Sequence, residues 1–253
     1  MPKVSVNILT KNRLELFKKA ILSVKTQSFK DFEILVVNDG SQDDTQKYLE
    51  ITSSKSQVPN KFKIINNSIS KGITLSRQVA LEASSGEYIA VLDDDDEWVD
   101  TQKLQKQVDF LDAHQEHVLV GGGISIINSK NQASRTKLRS QTDENIRQTM
   151  LLRNNFFTST VMFKREAAIK VGGFIKDQQD FAEDYDLWLR LGNIGKMFNF
   201  QEVFTKYTLP NYNKERFIGF LKKQKSLIRK YKSEYPNYLV ANFILSLRIF
   251  LKI

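Results

Sequence analysis

The segment Phe32 to Ser41 reads FEILVVNDGS, and its pattern decides the fold class. A predominantly apolar run predicts a strand that is buried on both faces, and Asn38 to Ser41 then supply a polar turn before a helix from about Asp43. The same alternation recurs on either side. Further strands are predicted at Val4–Leu9, Phe62–Ile65 and Glu87–Leu92, with helical patterns after Leu14 and at about Ile73–Ala83. This succession predicts an α/β fold with a Rossmann-like, mostly parallel central sheet flanked by helices.

The composition limits the chemistry that the chain can perform. It has 253 residues and is 41% hydrophobic, with only 11 Gly and 4 Pro, which excludes collagen-like and wholly disordered classes. Because there is no cysteine, thiolate metal sites and thiol nucleophiles are excluded. Two histidines, His114 and His117, leave almost nothing for a histidine metal site. Catalysis, if present, must therefore use carboxylates.

The formal net charge of +9 is concentrated at one end of the chain. Residues 210–253 hold ten basic and two acidic side chains, a net charge of +8, so the preceding 209 residues carry +1. Nucleic-acid binding needs a basic stripe on the folded surface, and a nearly neutral body argues against it. We therefore expect no nucleic-acid partner.

The basic tail at 210–253 predicts two helices, the second of which has a continuous apolar face. That face consists of Leu239, Val240, Phe243, Ile244, Leu247, Phe250 and Leu251. It either packs against the body or docks, with the lysine-rich helix before it, on an anionic membrane surface. The apolar stretch Tyr238–Ile253 is too short and too charged for a transmembrane helix, and no secretory signal opens the chain. We expect a cytoplasmic protein, with peripheral attachment to the inner face of the cell membrane as the alternative for its location.

Five consecutive acids, Asp93 to Glu97, follow the predicted strand Glu87–Leu92. A solvated surface loop is one interpretation of such a run. However, like charges packed at the end of a buried strand repel each other unless a cation or a ligand compensates them. Oxygen ligands without histidine or cysteine favour Mg²⁺ or Mn²⁺, which usually bridge to substrate phosphates. The run therefore points to a nucleotide-phosphate substrate.

Two other acidic positions have both a structural and a functional interpretation. Asp39 lies in a strand-turn-helix junction with Gly40 and Ser41, where it either serves the turn or accepts hydrogen bonds from a base or ribose. Glu183 and Asp184 open a predicted helix, where the helix dipole favours negative charge. Glu183 or Asp184 could also act as a general base. Because the chain has only two histidines, we expect such a base to be a carboxylate.

Six segments follow one another in a specific order between Lys3 and about Leu191. They are Val4–Arg13 (VSVNILTKNR), Phe32–Thr45 (FEILVVNDGSQDDT), Lys71–Gln78 (KGITLSRQ), Gly86–Trp98 (GEYIAVLDDDDEW), Val171–Phe174 (VGGF) and Glu183–Arg190 (EDYDLWLR). Together they resemble the family 2 glycosyltransferases of the GT-A fold. The resemblance implies a catalytic domain at 1–209, with a nucleotide-sugar-binding half up to about 110 and an acceptor-binding half beyond it, followed by the helical tail.

The resemblance also implies an activity and a set of site residues. The activity is transfer of a sugar from a nucleotide-diphosphate donor to a glycan or lipid-linked acceptor hydroxyl, with inversion at the anomeric carbon. The catalytic residues would be Asp184 as general base and Glu183 beside it. The donor would be bound by Thr10, Lys11, Asn12, Asp39 at the base, Arg77 near the base and phosphates, and Asp93 and Asp94. The Mn²⁺ or Mg²⁺ ion would be held by Asp95, with Asp93 beside it.

Two departures from the family pattern bear on this assignment. Lys11 stands where the family commonly has an aromatic residue, and Asn38 stands where the family commonly has an acid. These two positions therefore do not support a uridine base, and the expectation of uridine rests on the other motifs. A processive synthase motif is absent, which favours single addition. A sugar nucleotidyltransferase would instead carry a glycine-rich phosphate loop near the N-terminus, and a non-catalytic sugar-binding relative or a membrane adaptor would not need Asp184.

Overall fold

The structure, a computed structural model, describes residues 1–54, 62–127, 133–175, 182–208 and 214–251. Within these ranges one mixed sheet lies between helices. Its strands are β1 Val4–Thr10, β2 Phe32–Asp39, β3 Phe62–Asn67, β4 Tyr88–Asp93, β5 Glu97–Trp98, β6 His117–Ile127, β7 Ala133–Lys137, β8 Met162–Lys164 and β9 Lys196–Thr208. The helices are α1 Leu14–Lys25, α2 Thr45–Ser54, α3 Ile73–Ala83, α4 Lys103–Ala113, α5 Asp143–Thr149, α6 Arg165–Lys170, α7 Glu183–Gly192, α8 Lys214–Lys230 and α9 Tyr238–Leu251.

The sheet begins with a parallel block in the order β3-β2-β1-β4. Strand β8 then pairs antiparallel with both β4 and β6, and β9 runs parallel to β6. The short strand β5 pairs with β9, and β7 pairs with β6. The predicted α/β architecture with a mostly parallel, Rossmann-like sheet and a C-terminal helical tail is confirmed.

Alternate residues of the central strands enter different apolar layers. In β2, Ile34 and Val36 join the layer that contains α1, whereas Leu35 and Val37 face α3. In β4, Ile89 and Val91 belong to the layer that contains α7. Burial of both faces explains why the apolar runs are nearly continuous, because a half-exposed strand would alternate with polar residues.

The sequence pattern at Ser159–Phe163 also predicts a strand, and this prediction is only partly correct. Residues Thr158–Thr160 form a 3₁₀ turn, and the strand β8 begins at Met162. The backbone amide of Thr160 donates to the carbonyl of Phe157 at 2.8 Å, which closes the turn. The turn directs side chains into the body, where local periodicity cannot place them.

The two C-terminal helices pack against α7 through one side only. Leu221 and Ile228 of α8 and Tyr231, which directly follows α8, share an apolar cluster with Trp188 of α7. Leu245 of α9 joins the same cluster. The apolar face predicted for α9 lies on the opposite side and is exposed. The predicted domain boundary at 209/210 falls outside the described residues. No helix within the described ranges is long and apolar enough to cross a bilayer.

Asp186 of α7 is the polar anchor of this attachment. Its carboxylate accepts hydrogen bonds from the hydroxyl of Tyr231 at 2.8 Å and from Nζ of Lys230 at 3.0 Å, and Arg190 donates to its other oxygen at 2.8 Å. Burial opposes ionisation of Asp186, but the neighbouring cations and the Tyr231 hydroxyl outweigh it and lower the pKa of its carboxyl. The tail is therefore held to α7 by a buried charge as well as by apolar contacts.

We expect Asp186→Ala to loosen the tail. Removing the carboxylate leaves Lys230 and Arg190 without their acidic partner, and breaking such a pair costs about 3 kcal/mol or more of the free energy of unfolding. Denaturant unfolding measures the loss, and limited proteolysis should cut α8 and α9 faster. Glu215→Ala, which removes an exposed acid from α8, is the control and should stay within about 0.5 kcal/mol of the parent chain. Equal unfolding free energies for the two variants would contradict the anchor.

Candidate active site

The polar residues that end three neighbouring strands meet at one edge of the sheet. Thr10 pairs in register with Asn38, Asp39 with Asn67, and Leu9 with Asp93. Because β1, β2 and β4 are parallel, their carboxyl ends lie side by side. Open α/β sheets bind ligands at this edge, so the predicted residues from these three strands are brought together.

Asp39 organises the loop that follows β3. Its carboxylate accepts hydrogen bonds from the Asn67 amide at 2.8 Å, the Ser70 hydroxyl at 2.6 Å and the backbone amides of Lys71 and Gly72 at 2.8 and 3.1 Å. Burial opposes ionisation, but the bonds from Ser70 and Lys71 outweigh it and lower the pKa of Asp39 to about 2. The four donors match the acceptor capacity of a carboxylate. A contact between Asp39 and the base of a nucleotide would therefore replace one of these hydrogen bonds.

The loop after β1 is tied to the turn after β2. Asn12 adopts a left-handed conformation with φ of 54°, and its backbone amide donates a hydrogen bond to the Ser41 hydroxyl at 3.0 Å. The side-chain oxygen of Asn12 accepts a hydrogen bond from the backbone amide of Gln42 at 2.7 Å. Thr10 is buried at the end of β1, whereas Lys11 is exposed. Of the three residues predicted here, Asn12 shapes the loop, and Lys11 is the one whose charge is open to a ligand.

The five acids after β4 lie in different environments. Asp94 and Asp95 share the guanidinium of Arg13, whose Nη1 lies 3.1 Å from Oδ1 of Asp94 and 2.8 Å from Oδ2 of Asp95. Burial raises the pKa of Asp94 to about 6, although Arg13 opposes the rise. Burial and the charge of Asp93 also raise the pKa of Asp95. Arg13, which is not among the site residues predicted from the sequence, is thus the cation that pairs with Asp94 and Asp95.

Asp96 has a structural place in the same run. Its side chain is 1% exposed and accepts hydrogen bonds from the Ser159 hydroxyl at 2.5 Å and the Thr208 amide at 2.9 Å. Burial and the charge of Asp93 raise its pKa well above the usual value. Ser159 also accepts a hydrogen bond from the Asp93 amide at 3.1 Å. The 3₁₀ turn and the end of β9 therefore hold the acidic loop in position.

Arg77 of α3 joins the acidic loop to the start of α7. Its Nη2 donates to Oδ1 of Asp93 at 2.8 Å, and its Nε lies 3.0 Å from Oε1 of Glu183. The ring of Phe174 lies 5.9 Å from the guanidinium carbon. Burial works against the charge of Arg77, but Asp93 and Glu183 outweigh it and raise the pKa of its guanidinium. Burial also raises the pKa of Glu183, against the pull of Arg77.

The turn at Val171–Phe174 contacts α3 at Gln78, the residue next to Arg77. The backbone amide of Phe174 donates to Oε1 of Gln78 at 2.7 Å, and Arg190 donates to the carbonyl of Gly173 at 2.7 Å. Gly173 has φ of 64°, and a Cβ there would lie 2.2 Å from Oε1 of Gln78. Only glycine allows this turn to lie so close to α3.

Asp184 stands beside Glu183 with a different partner. The Thr158 hydroxyl donates to its Oδ2 at 2.5 Å, and the Tyr185 amide lies 2.6 Å from its Oδ1. The side chain is half-buried, so it is open to solvent on one side. Glu183 is paired with Arg77, and Asp184 is the acid of this pair that is accessible from solvent.

The carboxylates fit a divalent cation that is shared with a substrate. The carboxylates of Asp93 and Asp95 would offer oxygen ligands, which suit Mg²⁺ or Mn²⁺. The pKa of Asp95 is raised partly by the charge of Asp93, so an added cation would relieve that repulsion. No group of three or more acidic or histidine side chains converges into a cage within the described ranges. One or two carboxylates completed by substrate phosphates is a usual arrangement for Mg²⁺.

Three contributors to this site were missed by sequence reasoning: Arg13, Thr158 and Ser159. Arg13 ends the motif Val4–Arg13, so its position before α1 was visible, but its acidic partners Asp94 and Asp95 lie in the turn after β4. Ser159 falls in the segment predicted as a strand, and Thr158 directly precedes it. Their polarity in an otherwise apolar run was the signal that could have marked them as inward-facing.

Comparisons with known proteins identify the family. Residues 5–172 match the family described as Glycosyl transferase family 2, which is more than half of the chain. An uncharacterized glycosyltransferase of Haemophilus influenzae is 27% identical over 220 residues, covering 82% of this chain and 66% of the relative. A UDP-Glc:alpha-D-GlcNAc-diphosphoundecaprenol beta-1,3-glucosyltransferase of Escherichia coli, WfaP, is 29% identical over 191 residues, covering 76% of this chain and 70% of that protein.

A solved structure shows the same fold. The mannosyltransferase PcManGT of Pyrobaculum calidifontis, in complex with GDP-Man and Mn²⁺, superimposes with a TM-score of 0.72 over 99% of this chain and 70% of the other, at 17% identity. At this identity the likeness concerns the fold alone, which is the GT-A arrangement of a curled α/β sheet.

We expect Arg77→Met to destabilise the protein because it leaves Asp93 and Glu183 near each other without their cation. Losing one partner of a buried ionic group costs about 3–5 kcal/mol. Denaturant unfolding at neutral pH measures this loss. The control is Arg153→Met, at an exposed arginine, which should change the free energy of unfolding by less than about 0.5 kcal/mol. A loss at Arg77 no larger than that of the control would contradict a bridging role.

Proposed function

The chain belongs to glycosyltransferase family 2, and on this premise we propose that it moves a sugar from a nucleotide-diphosphate donor to an acceptor hydroxyl with inversion at the anomeric carbon. One observation carries the proposal. Arg77 connects Asp93, at the carboxyl edge of the sheet, to Glu183, which precedes the accessible carboxylate of Asp184. Acids suited to the leaving group and to the incoming hydroxyl thereby belong to one connected site.

Asp184 is the proposed general base. An acceptor hydroxyl attacks the anomeric carbon while the Asp184 carboxylate takes its proton. Thr158 holds one oxygen of Asp184 and so orients the group. Glu183 is a positioning residue, since its carboxylate is paired with Arg77. The two adjacent acids therefore have separate tasks, set by their partners.

The leaving diphosphate belongs on the side of Asp93 and Asp95. Mn²⁺ or Mg²⁺, held there by Asp95 with Asp93 beside it, would neutralise the negative charge of the leaving group when bound. Asp94, with Thr10, Lys11 and Asn12, is proposed to line the donor pocket. Arg77 would sit near the donor base and phosphates, where its own pairing with Asp93 keeps that carboxylate oriented.

We propose a UDP-sugar as donor and a glycan or lipid-linked sugar as acceptor, in the assembly of a cell-surface polysaccharide. The name of the Escherichia coli relative supports both choices, since it specifies UDP-Glc and a diphosphoundecaprenol-linked sugar. Asp39 is the proposed contact to the base. A lipid-linked acceptor suggests a cytoplasmic enzyme that is peripheral on the inner face of the cell membrane, and residues 210–253 are the proposed attachment.

The donor assignment predicts a selective rise in melting temperature. We expect UDP-Glc or UDP-GlcNAc with Mn²⁺ to stabilise the protein more than GDP-Man does, by about 2.7 kcal/mol when the ligand is at 100 times its dissociation constant. Thermal-shift measurements with Mn²⁺, Mg²⁺ and a chelator test this. Asp95→Asn should lose the metal-dependent part of the shift, whereas Asp109→Asn on the surface of α4 should keep it. An undiminished shift in the chelator would count against the metal.

The base assignment predicts that Asp184→Asn lowers turnover on the order of 10²- to 10⁴-fold, the usual contribution of a general base. The variant should keep the donor-induced thermal shift, because its amide occupies the same space. Release of UDP from the donor chosen above, measured in the presence of the lipid-diphosphate-linked GlcNAc acceptor, reports transfer. Asp109→Asn again serves as the control. If Asp184→Asn turned over at the rate of the parent chain, Asp184 would not be the general base and would have a non-catalytic role.

A further inference from the structure

Helix α9 leaves a large apolar surface uncovered. Its buried contacts come from Ala241 and Leu245, on the side that faces the body. The opposite side is exposed, with Phe250 at 81%, Leu239 at 78% and Phe243 at 68% exposure. The full set, which we term the apolar ridge, is Leu239, Val240, Phe243, Ile244, Leu247, Phe250 and Leu251. Exposed apolar patches of this kind usually mark a surface that is covered in use.

A cationic groove runs beside the apolar ridge. It has a volume of about 510 Å³ and lies between α8 and α9. Lys222, Lys225 and Arg229 line it from α8, where a spacing of three and four residues aligns them on one stripe. Tyr238 and Asn242 line it from α9, on the flank between the buried side and the ridge.

The three cations of the groove have no acidic partner among the described residues. This distinguishes them from Lys230, the next cation on α8, which is paired with Asp186 at 3.0 Å. Like charges so close together repel each other, and an anion between them would remove that repulsion. A guanidinium and two ammonium groups, with amide and hydroxyl donors opposite, are well suited to the oxygens of a phosphate.

The ridge and the groove together select one kind of partner. A nucleic acid would use the cations but leave the ridge in water, and a second copy of the chain would cover the ridge while bringing more cations to the groove. At a membrane interface an apolar helix face lies about 5–10 Å into the headgroup and acyl boundary, with cations at the level of the phosphates. Only an anionic lipid surface satisfies both features.

We propose that the groove of Lys222, Lys225 and Arg229 binds the phosphate headgroup of an anionic phospholipid while the apolar ridge enters the bilayer interface. The inference rests on the proposed peripheral location and names its ligand and residues. It also relates the membrane to the active site, because Asp186 ties α8 to the helix that begins with Glu183 and Asp184. A docked tail would thus hold α7 at a constant distance from lipid-linked acceptors.

The test is co-sedimentation of the full chain with vesicles of phosphatidylcholine alone and of phosphatidylcholine mixed with phosphatidylglycerol. The groove variant carries Lys222→Gln, Lys225→Gln and Arg229→Gln. The control removes the same charge from exposed lysines on other helices, with Lys19→Gln, Lys47→Gln and Lys170→Gln. The ridge variant carries Phe243→Ser and Phe250→Ser. All these positions are exposed or half-buried, and melting temperatures confirm that each variant folds.

We expect the parent chain to prefer phosphatidylglycerol vesicles. The groove variant should lose binding on the order of 100-fold, since each of the three cations near an anionic surface contributes about fivefold to the affinity. The control should lose no more than about threefold, because its lysines belong to α1, α2 and α6 rather than to the two docking helices, and distant exposed charges are screened. The ridge variant should lose binding to both kinds of vesicle. The groove variant should keep the thermal shift with the nucleotide sugar, as its changes lie outside the donor site.

Other outcomes overturn the proposal in distinguishable ways. Equal losses in the groove variant and the control would refute the headgroup site while leaving a membrane location intact. Absence of binding to either vesicle by the parent chain would refute both. Self-association of the parent chain that the ridge variant abolishes, without vesicle binding, would identify a second copy as the cover of the ridge. None of these results bears on the sugar-transfer activity, which the donor and Asp184 experiments test separately.

Discussion

The ion pairs of Arg77 are the interaction on which the rest of the site depends. A guanidinium does not lose its proton in proteins, so its burial requires carboxylates within reach. Asp93 supplies one from the end of β4, and Glu183 supplies the other from the start of α7. These two elements belong to different halves of the chain. They cannot separate without leaving charge buried and unpaired, and this cost holds the end of β4 and the start of α7 together.

A single acidic run provides several functions because its members have different neighbours. Asp96 is buried, accepts a hydrogen bond from the Ser159 hydroxyl and has a structural role. Asp94 and Asp95 face Arg13, a cation that is half exposed and open to exchange with a substrate or a metal ion. Asp93 is held by Arg77. Identical residue types therefore differ in ionisation and availability according to burial and partner, which is how a site made of carboxylates separates its tasks.

Helix α7 links three parts of the molecule through the acids of its first turn. Glu183 reaches Arg77, Asp184 reaches Thr158, and Asp186 reaches the tail through Lys230 and Tyr231. The apolar side chains of the same helix, including Tyr185, Leu187 and Trp188, are buried in the cluster that also contains Leu221 and Ile228 of α8. Because the helix is rigid over ten residues, the position of the tail and the position of the proposed base are set together.

The sequence by itself determined the elements of the first half and the residue types at the carboxyl edge of the sheet. Apolar runs that are buried on both faces must be strands in a covered sheet, and helix α3 was predicted at its observed bounds, Ile73–Ala83. The motif positions at Asp39, Asp93 and Asp184 could be named because they follow or begin such elements. Their roles as donor, metal and base residues stay predictions.

Only the tertiary structure decided which partner each charged group meets. Arg13 with Asp94, Arg77 with Glu183 and Thr158 with Asp184 all join residues far apart in the chain, and local periodicity has no information on such pairs. The same holds for α9, whose apolar face was visible in the sequence although its direction was not. Packing of Ala241 and Leu245 against the body turns that face outward, since a helix can present only one side to the core.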